Sequence, residues 1–290
     1  MNATEKSVIV TGADGQLGSE LCRQLGSRAL GLTRNDCDLS DPAQTQRMLN
    51  EYRPQIVINS AAYTAVDRAE AEIALCHSIN ADAVLVLANA CRNVDATLVQ
   101  VSTDYVFGGD QERSLPYCEE DEPSPLSVYG RSKLAGEQYA AEAGKYFVVR
   151  TCGLYGRRVK PTQSNFVDTM LRLSGERDLL RVVADQHCTP SYCAHVAKAI
   201  LQLMETNVFG LYHLVNAGAT TWYELATEIF RIAGIDVCVE PIASDEYKTV
   251  AKRPNYSVLC TNKLSALGIR LPTWKEALKE YLQTCDLNRS

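Results

Sequence analysis

The sequence predicts an α/β fold: a Rossmann-type, doubly wound parallel sheet with a smaller C-terminal substrate-binding lobe. Three observations carry this expectation. Short β-branched or apolar runs alternate with helical patterns through the first half of the 290-residue chain, the order that produces a mostly parallel sheet with right-handed crossovers. The strand interiors are apolar throughout, as burial on both faces requires. The first strand runs directly into a glycine-rich turn that opens a helix, VTGADGQLG.

Residues 7–11, SVIVT, form the first predicted strand, and GADGQLGSELCRQL supplies the turn and the helix after it. ALGLT at 29–33 is the second strand. DLSDPAQTQRMLNEY, from Asp38, combines a capping residue and a proline with apolar helical spacing. IVINSAA at 56–62 is the third strand, and the Ala-rich segment 68–91 reads as one long helix. ATLVQVSTDYVF at 96–107 is a fourth strand with a polar end, and PYCEEDEPSPLSVYG at 116–130 an exposed loop. Helical SKLAGEQYAAEA at 132–143 and the run YFVVRTCGLYG at 146–156 follow. LYHLVNAG at 211–218 is a late strand ending in a turn. The expected division is a dinucleotide-binding domain over 1–155 and a mostly substrate-binding lobe over 156–290, with segments at about 185–235 returning to the first domain.

Composition narrows the function. A chain that is 46% hydrophobic and 22% charged, with a formal net charge of -6, gives no reason to expect nucleic acid or a membrane surface as partner. An anionic small molecule stays open, because local patches decide that. The start, MNATEKSVIVTG, lacks the apolar core of a signal peptide, and no uninterrupted apolar run approaches the roughly 18 residues of a membrane span. The expected location is therefore cytoplasmic. Eleven cysteines are scattered, odd in number and without a CxxC pair; they read as reduced, mostly buried small hydrophobes. Neither Cys nor His forms a ligand cluster, so no metal site is predicted. The acidic run Glu119, Glu120, Asp121, Glu122 reads as solvated.

Two constellations carry chemistry. Gly12, Gly15 and Gly18 form GxxGxxG after the first strand. Such glycines permit a tight turn, close approach of a pyrophosphate and close packing of the helix, whose N-terminal amides face negative charge. Arg34 lies just past the second strand, where an acidic residue would hold a ribose hydroxyl. An arginine there suits a 2′-phosphate, so NADPH is expected, with NADH the alternative. Asp38 suits either the adenine end of the cofactor or the cap of the helix near Pro42. Downstream, Tyr129 and Lys133 stand four apart, on one face of a helix. The ammonium favours phenolate, and the tyrosine exchanges a proton with a carbonyl or alkoxide oxygen. A hydroxyl from the end of the fourth strand, Ser102 or Thr103, is a second donor to that oxygen.

With these residues in view, the chain resembles the extended short-chain dehydrogenase/reductase family and, within it, the dTDP-4-dehydrorhamnose reductases. VTGADGQLG, NSAAYTAVDRAEAE, VSTDYVFGG, SVYGRSKLAGE, VVADQHCTPSY, GLYHLVNAGATTWYE and RPNYSVLCTNKLSALGIRLPTWKEAL carry the likeness. The resemblance implies reduction of a nucleotide-sugar ketone at C4 by NADPH. Thr103, Tyr129 and Lys133 are then the catalytic trio, with Thr103 chosen over Ser102 by the family pattern alone. It implies cofactor contacts at Gly12, Gly15, Gln16, Leu17, Gly18, Arg34, Asp38, Leu39, Ala61, Ala62 and Tyr63, besides Tyr129 and Lys133. Asn80 is a structural or cofactor-side residue.

Substrate contacts fall on Val66, Asp67, Thr103, Asp104, Tyr105, Tyr129, Asn165, Phe166, Gln186 and Arg253, the last facing a diphosphate. Asn165 serves equally as a helix cap, Gln186 as a turn residue and Phe166 as plain core. Homodimerisation is expected from the resemblance only. Two departures concern the sugar. Gly153 stands where the family has tryptophan, and Tyr256 where it has asparagine. The alternatives are a related nucleotide-sugar 4-ketoreductase of other specificity and an epimerase, which retains its cofactor through the cycle. From another class comes a non-catalytic NADP-binding regulatory subunit like the methionine adenosyltransferase beta subunit.

Overall fold

The structure is a computed structural model and describes residues 7–286 apart from 158 and 161–163. In chain order its strands are β1 Val8–Thr11, β2 Ala29–Leu32, β3 Ile56–Asn59, β4 Thr97–Thr103, β5 Tyr146–Thr151, β6 Leu154–Tyr155, β7 Leu179–Val183, β8 His187–Cys188, β9 Ser191–Tyr192, β10 Gly210–His213, β11 Thr220–Thr221 and β12 Cys238–Ile242. One six-stranded parallel sheet has the order β10-β5-β4-β3-β1-β2. The chain leaves β1 for β2 on one side and then crosses to β3 on the other. That reversal opens a crevice at the carboxyl ends of β1 and β3, the place where doubly wound sheets bind ligands.

Alternation along the strands gives the sheet two buried faces. Val8 and Val10 of β1 point to one face, with Ile58, Val99 and Val149, and pack on Leu17 and Leu21 of α1 (Gln16–Leu25). Ile9 points to the other, with Val57, Leu98 and Val148. There it meets Met48 and Leu49 of α2 (Pro42–Tyr52). Each fully buried aliphatic side chain contributes roughly 1.5–3 kcal/mol. The cap of α2 is Asp41, whose carboxylate accepts from the amides of Ala43 and Gln44 at 2.9 and 3.1 Å. Asp38, the expected alternative, instead accepts from Ser40. Asp41 is the residue immediately before Pro42, the first helical position, so its carboxylate reaches the free amides.

The segment read as one helix over 68–91 is interrupted. It comprises α3 (Val66–Ala69), a break at 70–72, α4 (Ile73–His77), a π-helical turn Ser78–Asp82 and α5 (Ala83–Asn93). The continuous stretch Ile73–Asn93 is long and apolar enough to cross a membrane by length and composition. Its residues Val84, Leu87, Ala88 and Cys91 are buried against the sheet, as in a core helix. The loop over 116–130 is less exposed than expected. Tyr117 stacks on Phe107 at 4.0 Å, Glu119 is buried, and Ser127 already caps α6 (Val128–Ala140).

The run 146–156 is broken at Gly153, whose φ of +51° ends β5 before β6 begins. The second half holds its own core. In it α7 (Phe166–Ser174), the β7–β12 pair, α9 (Trp222–Ala233) and α11 (Trp274–Asp286) gather Tyr155, Val167, Leu180, Ile229 and Tyr281. Between these elements α8 (Cys193–Thr206) packs Val196, Ile200 and Leu203 into the core of β1, and β10 joins the sheet. Leu264 of the short α10 (Asn262–Ala266) packs in the same core.

Candidate active site

The turn between β1 and α1 is built for close approach. Gly12 adopts φ +65°, and a Cβ there would come within 2.7 Å of the Ala61 amide nitrogen. A Cβ on Gly18 would overlap the Gly12 carbonyl oxygen and reach 2.7 Å from Ser60 Oγ. Gly15 caps α1 without any side-chain hydrogen bond, so the first amides of the helix stay free for an anion. A cleft of about 740 Å³ opens over this turn. Gly12, Gly15, Gln16, Leu17, Gly18, Arg34, Asp38, Leu39, Ala61 and Ala62 line it, together with Thr33, Ser60 and Thr64, which sequence reading did not single out. Arg34 and Asp38 face each other at 3.8 Å on its rim. These glycines and free amides fit the pyrophosphate of a dinucleotide.

Tyr63 lies beside this cleft, and its hydroxyl donates to Glu72 at 2.6 Å. Its backbone is held by Asn80, which accepts from the Tyr63 amide at 2.9 Å and donates to its carbonyl at 3.1 Å. Asn80 Nδ2 also donates to Ser132 Oγ at 3.0 Å, tying the end of β3 to α6. Its side chain is thus fully used inside the protein.

A second, smaller cavity of about 160 Å³ lies at the carboxyl end of β4. Val66, Thr103, Asp104, Tyr105, Tyr129 and Gln186 line it, together with Gly153, Trp222, Pro254 and Ser257. Alternation along β4 separates the two candidate hydroxyls. Ser102 donates to Glu137, which makes a buried bidentate pair with Arg150 at 2.9 and 2.7 Å. Thr103 turns to the cavity and to the Tyr129 phenol.

Burial raises the Tyr129 pKa, against the opposing effect of the Thr103 hydroxyl. The phenol is therefore held protonated, whereas a neighbouring ammonium was expected to favour phenolate. Lys133 does not offset that burial. Its Nζ donates to the Val101 carbonyl at 2.6 Å, and the side chain is 3% exposed. Burial pushes its pKa down to about 8.

Asp104 is buried and accepts from Ser257 Oγ at 2.6 Å, Cys152 Sγ at 3.1 Å and Thr103 Oγ1 at 3.1 Å. Burial outweighs these donors and raises its pKa. Tyr105 meets the Tyr129 ring edge-on at 6.0 Å. Asp67 and Arg253, 186 positions apart, form a two-pronged pair at 2.7 and 3.1 Å that holds Asp67 below the usual carboxylate range. Asn165 caps α7, accepting from the Asp168 amide at 2.9 Å, and donates to Gln16 at 2.9 Å. Phe166 packs on Trp222 with ring centres 4.8 Å apart.

The Tyr256 ring packs toward Tyr117 and His187, 6.4 and 6.0 Å away. In the acidic run, Glu119 accepts from the His213 amide and Asp121 pairs with Arg113. Among the described residues no group of His, Cys, Asp and Glu is arranged to hold a metal. Ser257 and Trp222 line the cavity without standing out in the sequence, as do Cys152, His187, Cys188 and Pro254. Ser257 and Trp222 sit in the motif blocks RPNYSVL and GATTWYE, but nothing local marks them as facing a cavity.

Comparison with known proteins agrees with this geometry. Residues 6–287 match the family described as RmlD substrate binding domain. The chain is similar to a dTDP-4-dehydrorhamnose reductase of Streptomyces griseus, 41% identical over 94% of this chain and 91% of that one. A Streptomyces antibioticus protein named as a probable dTDP-4,6-dihydroxy-2-methyloxan-3-one 4-ketoreductase is 39% identical over 94% and 93%. Among solved structures, the dTDP-4-dehydrorhamnose reductase of Bacillus anthracis str. Ames in complex with NADP superposes with a TM-score of 0.92. It is 41% identical and covers 97% of this chain and 99% of that one.

Proposed function

The chain belongs to the RmlD family of dTDP-4-dehydrorhamnose reductases, and on that premise we propose that it reduces the C4 ketone of dTDP-4-dehydro-6-deoxy-L-mannose to dTDP-L-rhamnose with NADPH. NAD(P)H is its cofactor, as the NADP complex of its Bacillus anthracis relative supports. The observation that carries the reading is the pair of hydroxyls, Thr103 and Tyr129, on one small cavity at the same sheet edge as the glycine turn.

NADPH, when bound, supplies the hydride that converts the ketone carbon to a carbinol. Tyr129 gives its phenolic proton to the ketone oxygen as negative charge develops there, and regains it from solvent. A phenol kept protonated by burial is in the right state for that donation. Thr103 turns its one hydroxyl proton from Asp104 to the same oxygen, stabilising charge that exists only toward the transition state. Lys133 fixes the cofactor ribose beside the tyrosine. Gly12, Gly15, Gly18 and the α1 amides hold the pyrophosphate, with Arg34 on a 2′-phosphate. Asp104 accepts from a sugar hydroxyl, and Arg253 exchanges Asp67 for the substrate diphosphate. On this reading Val66, Asp67, Tyr105, Asn165, Phe166 and Gln186 border the substrate.

The test is nicotinamide absorbance decay with the ketosugar generated in situ, NADPH against NADH, and product identification by NMR. Oxidation with rhamnose product is expected, faster with NADPH. A folded protein that binds NADPH but oxidises none refutes the reading. A different sugar product would favour the second reading, a 4-ketoreductase of other specificity, which Gly153 supports because position 153 itself brings no side chain to the cavity wall. The reading carries with it a cytoplasmic location, in keeping with ten free cysteines among the described residues, and a homodimer, to be tested by light scattering.

A further inference from the structure

We propose that Trp222 is the aromatic platform for the sugar ring and sets the cavity's specificity; this rests on the function proposed above. Trp222 is half-buried at the start of α9, where Thr221 and Glu224 form a reciprocal capping box that fixes the first turn. Its ring reaches from the C-terminal core, where it packs on Phe166, to the wall of the cavity shared by Thr103 and Tyr129.

The space it uses is left open by Gly153. A Cβ at position 153 would lie 3.3 Å from the Trp222 ring and 3.2 Å from Pro190 Cα, on a backbone at φ +51° that disfavours any side chain. Position 153 and the indole therefore compete for one place, and here the indole holds it. Tyr129 also lines this cavity, so a ketone within reach of the phenol places its ring among the same walls as Trp222. A flat apolar face of this kind stacks against the C–H face of a deoxysugar and excludes water. Such an interaction is made equally in ground and transition states, so its loss acts on KM rather than kcat.

Two measurements test this. The chain has two tryptophans, and Trp274 is buried outside this cavity, so Trp274→Phe leaves Trp222 as the sole indole reporter. Its emission is expected to change on adding dTDP-L-rhamnose and to stay constant with dTDP alone. In steady state, Trp222→Leu is expected to raise KM for the ketosugar about tenfold with kcat within about threefold, and Trp222→Phe to recover most of the loss. Melting curves establish that both variants fold. An unchanged KM in Trp222→Leu, or equal emission changes with dTDP and dTDP-L-rhamnose, overturns the assignment while the wild-type activity stands. A wild-type protein that neither reduces the ketosugar nor binds dTDP-L-rhamnose overturns both readings.

Discussion

Lys133 gives the sharpest quantitative test, because its position fixes both a number and a sign. Its ammonium is 3% exposed, and its hydrogen bond to the Val101 carbonyl does not replace the lost water. Burial lowers its pKa from 10.5 to about 8, which amounts to about 3 kcal/mol against the charged form. Activity through the charged lysine must then fall as pH rises through about 8. One unit above that value roughly a tenth of the enzyme remains charged, so kcat/KM for NADPH is expected to drop about tenfold between about pH 7 and pH 9.

The proton on Tyr129 is not lost over this range, since burial raises its pKa above the ordinary value of 10. Stability moves the opposite way. Between about 8 and 10.5 the unfolded chain binds the extra proton, so this group makes folding more favourable as pH rises through that window. The assay is the pH profile of kcat/KM for NADPH, measured for the native protein and for Lys133→Arg, which cannot deprotonate. A profile flat to about pH 9.5, or the same alkaline limb in Lys133→Arg, refutes the reasoning.

Other outcomes follow from the same geometry. Tyr129→Phe should lower kcat by about 10²–10⁴ while NADPH affinity by fluorescence stays within a few-fold; a smaller loss of rate would remove the phenol as proton donor. Gly18→Ala drives a methyl group into the Gly12 carbonyl and should weaken NADPH binding at least about tenfold with far-UV circular dichroism unchanged. An unaltered dissociation constant would mean the turn does not hold the pyrophosphate. Arg150→Met leaves Glu137 buried without its partner, which should cost about 3–5 kcal/mol in urea unfolding; a loss near zero would show that the pair is compensated elsewhere.

What the sequence alone determined is local. The short, continuously apolar runs of VIVT and IVIN, the glycines of VTGADGQLG and the four-residue spacing of Tyr129 and Lys133 are signals carried over a few residues. They fixed the parallel sheet, the turn and the shared helix face. The break at Gly153 and the π-turn Ser78–Asp82 leave no mark in the sequence, because composition continues across them while the backbone does not.

Tertiary structure decided what long-range packing controls. Burial against Glu137 takes Ser102 out of reach of the cavity and leaves Thr103 there. Burial holds Tyr129 protonated rather than as phenolate, and the carbonyl of Val101 takes the lysine's hydrogen bond. Arg253 meets Asp67, and Trp222 meets Gly153, across 186 and 69 positions. No spacing rule reaches that far: such contacts exist only once two cores have closed on one sheet edge, and they determine which hydroxyl, which charge and which ring face the cavity.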